Sequence, residues 1–179
     1  MIHRIRLTRH GTRHMRDLQV THATIAAATH GTTARPLWCM PLRDLLIVRA
    51  DQCDLPSALV REAHTGVHVP ALDAGDPVTL TTVVNPVVDR DGRRRVIPIG
   101  DTRAWLEHRL APVELRDVEV EDLGQRGGWR GGRRVTVAWR AVTSTGIVRD
   151  PDGLAEVLDR GLGRAKAYGC GLVLVAGAS

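Results

Sequence analysis

The chain has 179 residues, 43% hydrophobic and 25% charged, enough for one ample core or two small domains in contact. No run approaches the ~18 apolar residues of a membrane helix, and the arginine-bearing N-terminus lacks a signal-peptide core, so a cytoplasmic protein with no membrane partner is expected. Its 25 Lys plus Arg outnumber 20 Asp plus Glu for a net charge of +5, which makes a polyanion the natural partner.

In chain order, "IHRIRL" (Ile2 to Leu7) alternates apolar and basic residues, the pattern of a half-buried strand. Asp17 is placed to cap a helix over "LQVTHATIAAATH", with Gly31 as its stop. "RPLWCMPL" and "DLLIVRA" read as strands joined by a turn near Pro41–Asp44, "LPSALVREAH" as a short helix, and the β-branched "DPVTLTTVVNP" as a closing strand. That order, βαββαβ, is ferredoxin-like. The second half repeats it: "RRVIPIG" as a strand, "DTRAWLEHRLA" as a helix, "VELRDVEVED" and "RRVTVAWRAVTSTGIV" as a long strand pair, "DPDGLAEVLDRG" as a helix and "CGLVLVA" as the last strand. The expectation is an α+β protein of tandem ferredoxin-like (RRM-like) domains, 1–88 and 89–179, joined at the turn-rich "VDRDGRRR".

Three features bear on chemistry. Every lysine or arginine except Lys166 is arginine, whose planar fork suits phosphate. With no Phe, one Tyr and four Trp, few aromatic faces are left for stacking bases, so a bound RNA is expected to be structured and read by shape and backbone. Cys39, Cys53 and Cys170 show no CxxC spacing, and none of the eight histidines falls in an H-E-x-x-H arrangement. Reduced thiols are therefore expected, with neither a metal site nor a cofactor.

The stretch "GLGRAKAYGCGLVLV" sets Gly161, Gly163, Gly169 and Gly171 around Arg164 and Lys166, just before the last strand. A helix feeds this loop and the loop feeds a strand, the reverse of a dinucleotide fingerprint, and no Gly-Lys-Ser/Thr ends it as in a Walker loop. The glycines imply a close-approach surface, with a share in the turn from helix to strand.

Together with the preceding "DPDGLAEVLDR", this loop resembles the C-terminal signature of the CRISPR repeat-processing endoribonucleases, CasE branch of the type I-E system. "RIRL" in the first strand, Asp17-(x)4-His22, "NP…GRRR" around Asn85 and "AWLEHRL" are similar as well. The resemblance implies two ferredoxin-like folds and binding of the CRISPR repeat RNA as the crRNA 3′ hairpin. It further implies metal-free cleavage by the RNA's own 2′-hydroxyl, and retention of the product with the other subunits of a Cascade-type effector complex.

His22 matches the family's catalytic histidine, and imidazole titrates where a proton must move at neutral pH. It also shares a helical face with Leu18 and Ile25, as a packed core histidine would. Family members often carry tyrosine where this chain has Gln19, which can hydrogen-bond but cannot act as an acid. His30, two turns on, is either a second imidazole of the site or the frayed end of the helix. The Gln19 exchange keeps open an alternative, a non-catalytic RNA-hairpin-binding subunit of the same fold. RNA contacts are expected from Arg93, Arg94 and Arg95 at the join. A basic hairpin tip adds Arg126, Trp129, Arg130, Arg133 and Arg134, read either as a flexible arm entering an RNA groove or as a solvated loop. Arg164 and Lys166 complete the set, and Tyr168 reads as a packing residue.

Overall fold

The computed structural model describes residues 1–31, 35–66 and 71–177. Two four-stranded antiparallel sheets carry the architecture, and both have the ferredoxin-like strand order. In the first sheet, β1 (Ile2–Leu7) lies between β3 (Leu45–Arg49) and β4 (Val60–Gly66), with β2 (Leu37–Leu42) outside β3. The register Arg4↔Ile47 and Arg4↔His64 keeps Ile5 and Leu7 on the buried face.

Two helices link β1 to β2. The short α1 (Arg9–His14) starts where the Thr8 hydroxyl accepts from the Gly11 N–H, and Gly11 lies flush under the Leu59 carbonyl. The longer α2 (Leu18–Ala28) begins as expected: the Asp17 carboxylate accepts from the N–H groups of Gln19 at 2.7 Å and Val20 at 3.0 Å. Leu18, Thr21, Ile25 and Ala28 form its buried stripe.

The second sheet has the order β10, β5, β9, β8, built from β5 (Pro77–Val84), β8 (Val113–Arg130), β9 (Arg133–Val148) and β10 (Val173–Gly177). Its helices are α3 (Thr102–Arg109) and α4 (Pro151–Arg160); Asp150 caps the latter by accepting from the Gly153 N–H, with Pro151 at its first turn. A small hairpin, β6 (Val87–Arg90) with β7 (Arg93–Val96), is inserted between β5 and α3.

Three expectations need correction. "LPSALVREAH" is not a helix: a single turn at Ser57–Leu59 leads into β4, whose backbone completes the open edge of β1. "DPVTLTTVVNP" does not close the first fold. As β5 it opens the second, pairing with both β9 and β10. By sheet membership, then, the division falls between Gly66 and Pro77 rather than at residue 88. "RRVIPIG" supplies β7 of the small hairpin instead of a sheet strand, so Arg93, Arg94 and Arg95 sit inside the second unit.

Candidate nucleic-acid interface

His22 projects from the middle of α2, one turn after Leu18. Leu18 and Ile25 are buried, whereas His22 is half-buried. The ring lies at the margin of the core, lining a cleft of about 260 Å3 together with Ile25, His30, Arg35, Trp38 and Ala167. Edge-on to it stands Tyr168, ring centroid to ring centroid 6.2 Å with planes at 64°, an arrangement aromatic pairs favour.

Tyr168 comes from the glycine-rich loop, and the loop's geometry explains its reach. Gly161, Gly163, Gly169 and Gly171 all have positive φ, as does Ala165. At Gly169 (φ +77°) the requirement is doubled: a Cβ there would stand 2.6 Å from the Trp38 ring and 2.7 Å from the Trp139 ring. These two indoles meet at 6.3 Å and 71°. The Trp139 Nε1–H donates to the Tyr168 carbonyl at 3.1 Å, and the Tyr168 N–H donates to the Ala165 carbonyl at 2.8 Å. At Gly169, then, the close approach is to this chain's own tryptophans, and its effect is to fix Tyr168 beside His22.

His30 lines the same cleft. It is exposed, and its Nδ1 lies 2.8 Å from the Ala27 carbonyl, an acceptor only, so that nitrogen carries the proton. Its own carbonyl accepts from the Gln52 amide at 2.7 Å. Gln19 is not among the residues lining the cleft; its backbone is covered by Gly128 of β8, where a Cβ would come within 2.9 Å of the Gln19 nitrogen. Its Oε1 is buried and has no partner among the described residues.

Positive charge collects along the loop. Burial lowers the pKa of Lys166, and the charges of Arg35 and Arg160 push it the same way. Burial also lowers that of Arg109, helped by Arg164; its guanidinium sits 4.1 Å from the Trp105 ring centroid. Burial leads each shift, and the neighbouring cations add to it. Arg164 faces Asp89 of the small hairpin at 3.9 Å, which brings Arg93, Arg94 and Arg95 to the same neighbourhood, all exposed.

The expected basic hairpin tip exists, but as an arm of paired strand rather than a flexible loop. β8 and β9 stay paired out to Arg130↔Arg133 around Gly131–Gly132, with register shifts at Leu115/Val118 and Asp122/Gln125. Gly128 packs on the start of α2, while Trp129, 63% exposed, and Arg133 and Arg134 face solvent. Arg126 instead lies over the Trp139 ring at 5.2 Å. The Arg130 side chain lies outside the described residues. Among the described residues no group of three His, Cys, Asp or Glu could hold a metal ion, and no helix is long and apolar enough to cross a membrane.

The sequence missed the part played by Tyr168. The available signal was an aromatic residue set between Ala165 and Gly169 in a loop that must turn left-handed on both sides of it.

A family model described as CRISPR associated protein matches residues 2–177. No curated protein matches. Among solved structures, the CRISPR endoribonuclease Cse3 bound to 19-nt RNA superposes with a TM-score of 0.85 at 22% identity, covering 98% of this chain and 99% of that one. The CRISPR-associated protein Cas6e from Escherichia coli K-12 gives 0.77 at 18% identity, with 99% and 100% covered. A chain of a CRISPR RNA-guided surveillance complex gives 0.73 at 16% identity, again with 99% and 100% covered. At these identities the likeness establishes the tandem fold over the whole length.

Proposed function

This chain belongs to the CRISPR associated protein family, and on that premise we propose that it is an endoribonuclease that binds the repeat hairpin of precursor CRISPR RNA and cleaves it to mature guide RNA. The observation that carries this reading is the His22 ring, half-buried in a cleft and braced by Tyr168, with Lys166 and Arg35 close by. It is supported by structural likeness to Cse3 bound to RNA.

The reaction follows from what such a cleft can do. The 2′-oxygen of the nucleotide before the cut attacks the adjacent phosphorus, the bond from phosphorus to the 5′-oxygen breaks, and a 2′,3′-cyclic phosphate and a 5′-hydroxyl result. One proton leaves the attacking hydroxyl and one must reach the departing oxygen. His22 serves one of these transfers, and the cations of the loop offset charge growing on the phosphate. No metal ion is needed for this balance. Arg93 to Arg95, Arg164 and Lys166 grip the backbone, as do Arg126, Arg130, Arg133 and Arg134 of the arm. His30 stands in the second rank, its Nδ1 engaged at the helix end. Likeness to a chain of a CRISPR RNA-guided surveillance complex supports retention of the cut RNA as a subunit of such an assembly; the cytoplasm is its proposed setting.

Gln19 favours a second reading, a clamp of the same fold that binds without cutting, because no phenol stands one turn before His22. A single experiment separates the two. Purified protein is incubated with its repeat RNA with and without EDTA, and with a 2′-deoxy substitution at the scissile position. Cleavage that survives chelation and fails on the deoxy RNA is expected; tight binding to intact RNA is the clamp. His22→Ala should slow cleavage by about 10² to 10⁴ while hairpin affinity stays within a few-fold. Loss of affinity along with cleavage would make His22 a structural residue.

A further inference from the structure

A second hollow, of about 440 Å3, opens where the two units meet, beside the arm. Its floor is apolar, made by Met15 at the elbow between α1 and α2, Met40 of β2, and the edges of the buried Trp38 and Trp139. Its rim is cationic: Arg16, Arg43 and Arg126 surround it, with the Gln125 amide beside them. Among the described residues none that lines it is acidic. Among the described residues none of the three arginines makes an ion pair. Arg126 is already ordered by its position over the Trp139 ring.

The adjoining hollow shows what a merely solvated basic surface looks like here. It shares Thr12 and Arg16 with the first and adds Arg9, Arg13 and Arg61, but it contains Asp44, which pairs with Arg6 at 3.1 Å and Arg61 at 3.6 Å. The hollow beside the arm has no such counter-charge. Three like charges around an apolar floor repel one another more as water is excluded, and an anion removes that cost.

The occupant must be both anionic and flat or apolar. A free phosphate makes no use of the floor. A duplex stem keeps its base faces stacked inside and offers such a recess sugar, phosphate and base edges, with no face to lay on the floor. A nucleotide with an unpaired base has both halves, and Gln125 can donate to and accept from a base edge. We infer that this hollow seats an unpaired nucleotide of the RNA strand lying outside the hairpin stem. Trp38 lines both this hollow and the His22 cleft and so forms the partition between them; the seated nucleotide is not the one being cut. The inference rests on the hairpin-binding reading, because the tether matters: a flank joined to a bound stem arrives at millimolar effective concentration, so a shallow site suffices.

The test compares a bare repeat hairpin with the same hairpin carrying a few unpaired nucleotides at its 5′ or 3′ end, and with a flank of abasic sugars. Affinities are read by fluorescence anisotropy for the wild type and for an Arg16→Gln, Arg43→Gln double variant whose folding is checked by circular dichroism. The wild type should bind one of the flanked hairpins about tenfold tighter than the bare one. The abasic flank should lose most of that gain. The double variant should lose the gain and keep its bare-hairpin affinity within about twofold. Equal binding of bare and flanked hairpins by the wild type overturns the inference while leaving hairpin recognition intact. An equal loss for both RNAs in the double variant overturns it too, by assigning these arginines to the stem. A bare hairpin bound no better than a scrambled strand sinks the hairpin reading, and this one with it.

Discussion

The two ferredoxin-like units share a strand order but not a way of making a core. The second is self-sufficient: α3 and α4 cover its sheet, and its buried cluster, from Val78 to Val175, is drawn entirely from its own elements. The first has no helix before its last strand, only the turn at Ser57–Leu59. Its cluster takes in Val83, Val137, Trp139, Cys170 and Leu172 from the second unit. Apolar surface that a helix would have supplied comes instead from the arm and the glycine-rich loop. The consequence for function is direct, because the helix bearing His22 packs on a surface made by the other half of the chain.

The largest effect is expected at Trp139, which belongs to the second sheet as a residue of β9 and to the first core by burial. Trp139→Ala should cost about 3–5 kcal/mol, the range for emptying a large aromatic from a core. Urea unfolding followed by circular dichroism and by tryptophan fluorescence should remain a single coincident transition. If the first unit melted alone at unchanged midpoint, or the stability were unaffected, the shared core would be an error.

A smaller effect is expected at Tyr168, where the second unit touches the site of the first. An edge-on aromatic contact is worth about 0.5–1.5 kcal/mol, so Tyr168→Leu should slow single-turnover cleavage by roughly 3- to 10-fold. Hairpin affinity should hold, and Tyr168→Phe should restore the rate. A Phe variant as slow as Leu would mean that the hydroxyl, not the ring, is what His22 needs.

Much of this was readable in the sequence where the signal is local. The β1 alternation, Asp17 as cap of α2, the long strand pair of the arm and the helix α4 all follow from neighbours a few residues apart, although α2 ends with Thr29 as its C-cap, two residues short of Gly31. What failed was membership. "DPVTLTTVVNP" is unmistakably a strand, yet nothing in Val78 to Val84 says which sheet it joins. Beyond its first residue β4 is exposed along its length, so it lacks the alternation that marks a half-buried strand, and Gly11 disguised α1. The site divided in the same way. His22 stood out on its helix, and the glycines signalled left-handed backbone. That Gly169 clears room for Trp38 and Trp139, and that Tyr168 thereby meets His22, depends on contacts far apart in the chain.

The thiols offer the mildest probe of the shared core. Cys39 of the first unit and Cys170 of the second are both buried in it, while Cys53 is half-buried. Burial pushes Cys39 up to about 12, and raises Cys170 too, with Cys39 adding to it. Cys53 is pushed up to about 11 by burial and then by Asp54. Because the folded pKa values lie above the ordinary 9.0, both states hold these protons below pH 9 and stability is unaffected there. Above it the unfolded chain releases protons that the folded chain keeps, so stability falls as pH rises from about 9 towards 12. The urea midpoint should therefore be flat from pH 7 to 8.5 and decline beyond, less so in a Cys39→Ala, Cys170→Ala variant compared with its own neutral value. At pH 8 a thiol reagent should reach Cys53 first and the other two only as the protein unfolds. The order within that pair is the informative reading: one core shared by both units requires Cys39 and Cys170 to become reactive together, whereas Cys39 labelled well ahead of Cys170 would mean that the first unit opens by itself.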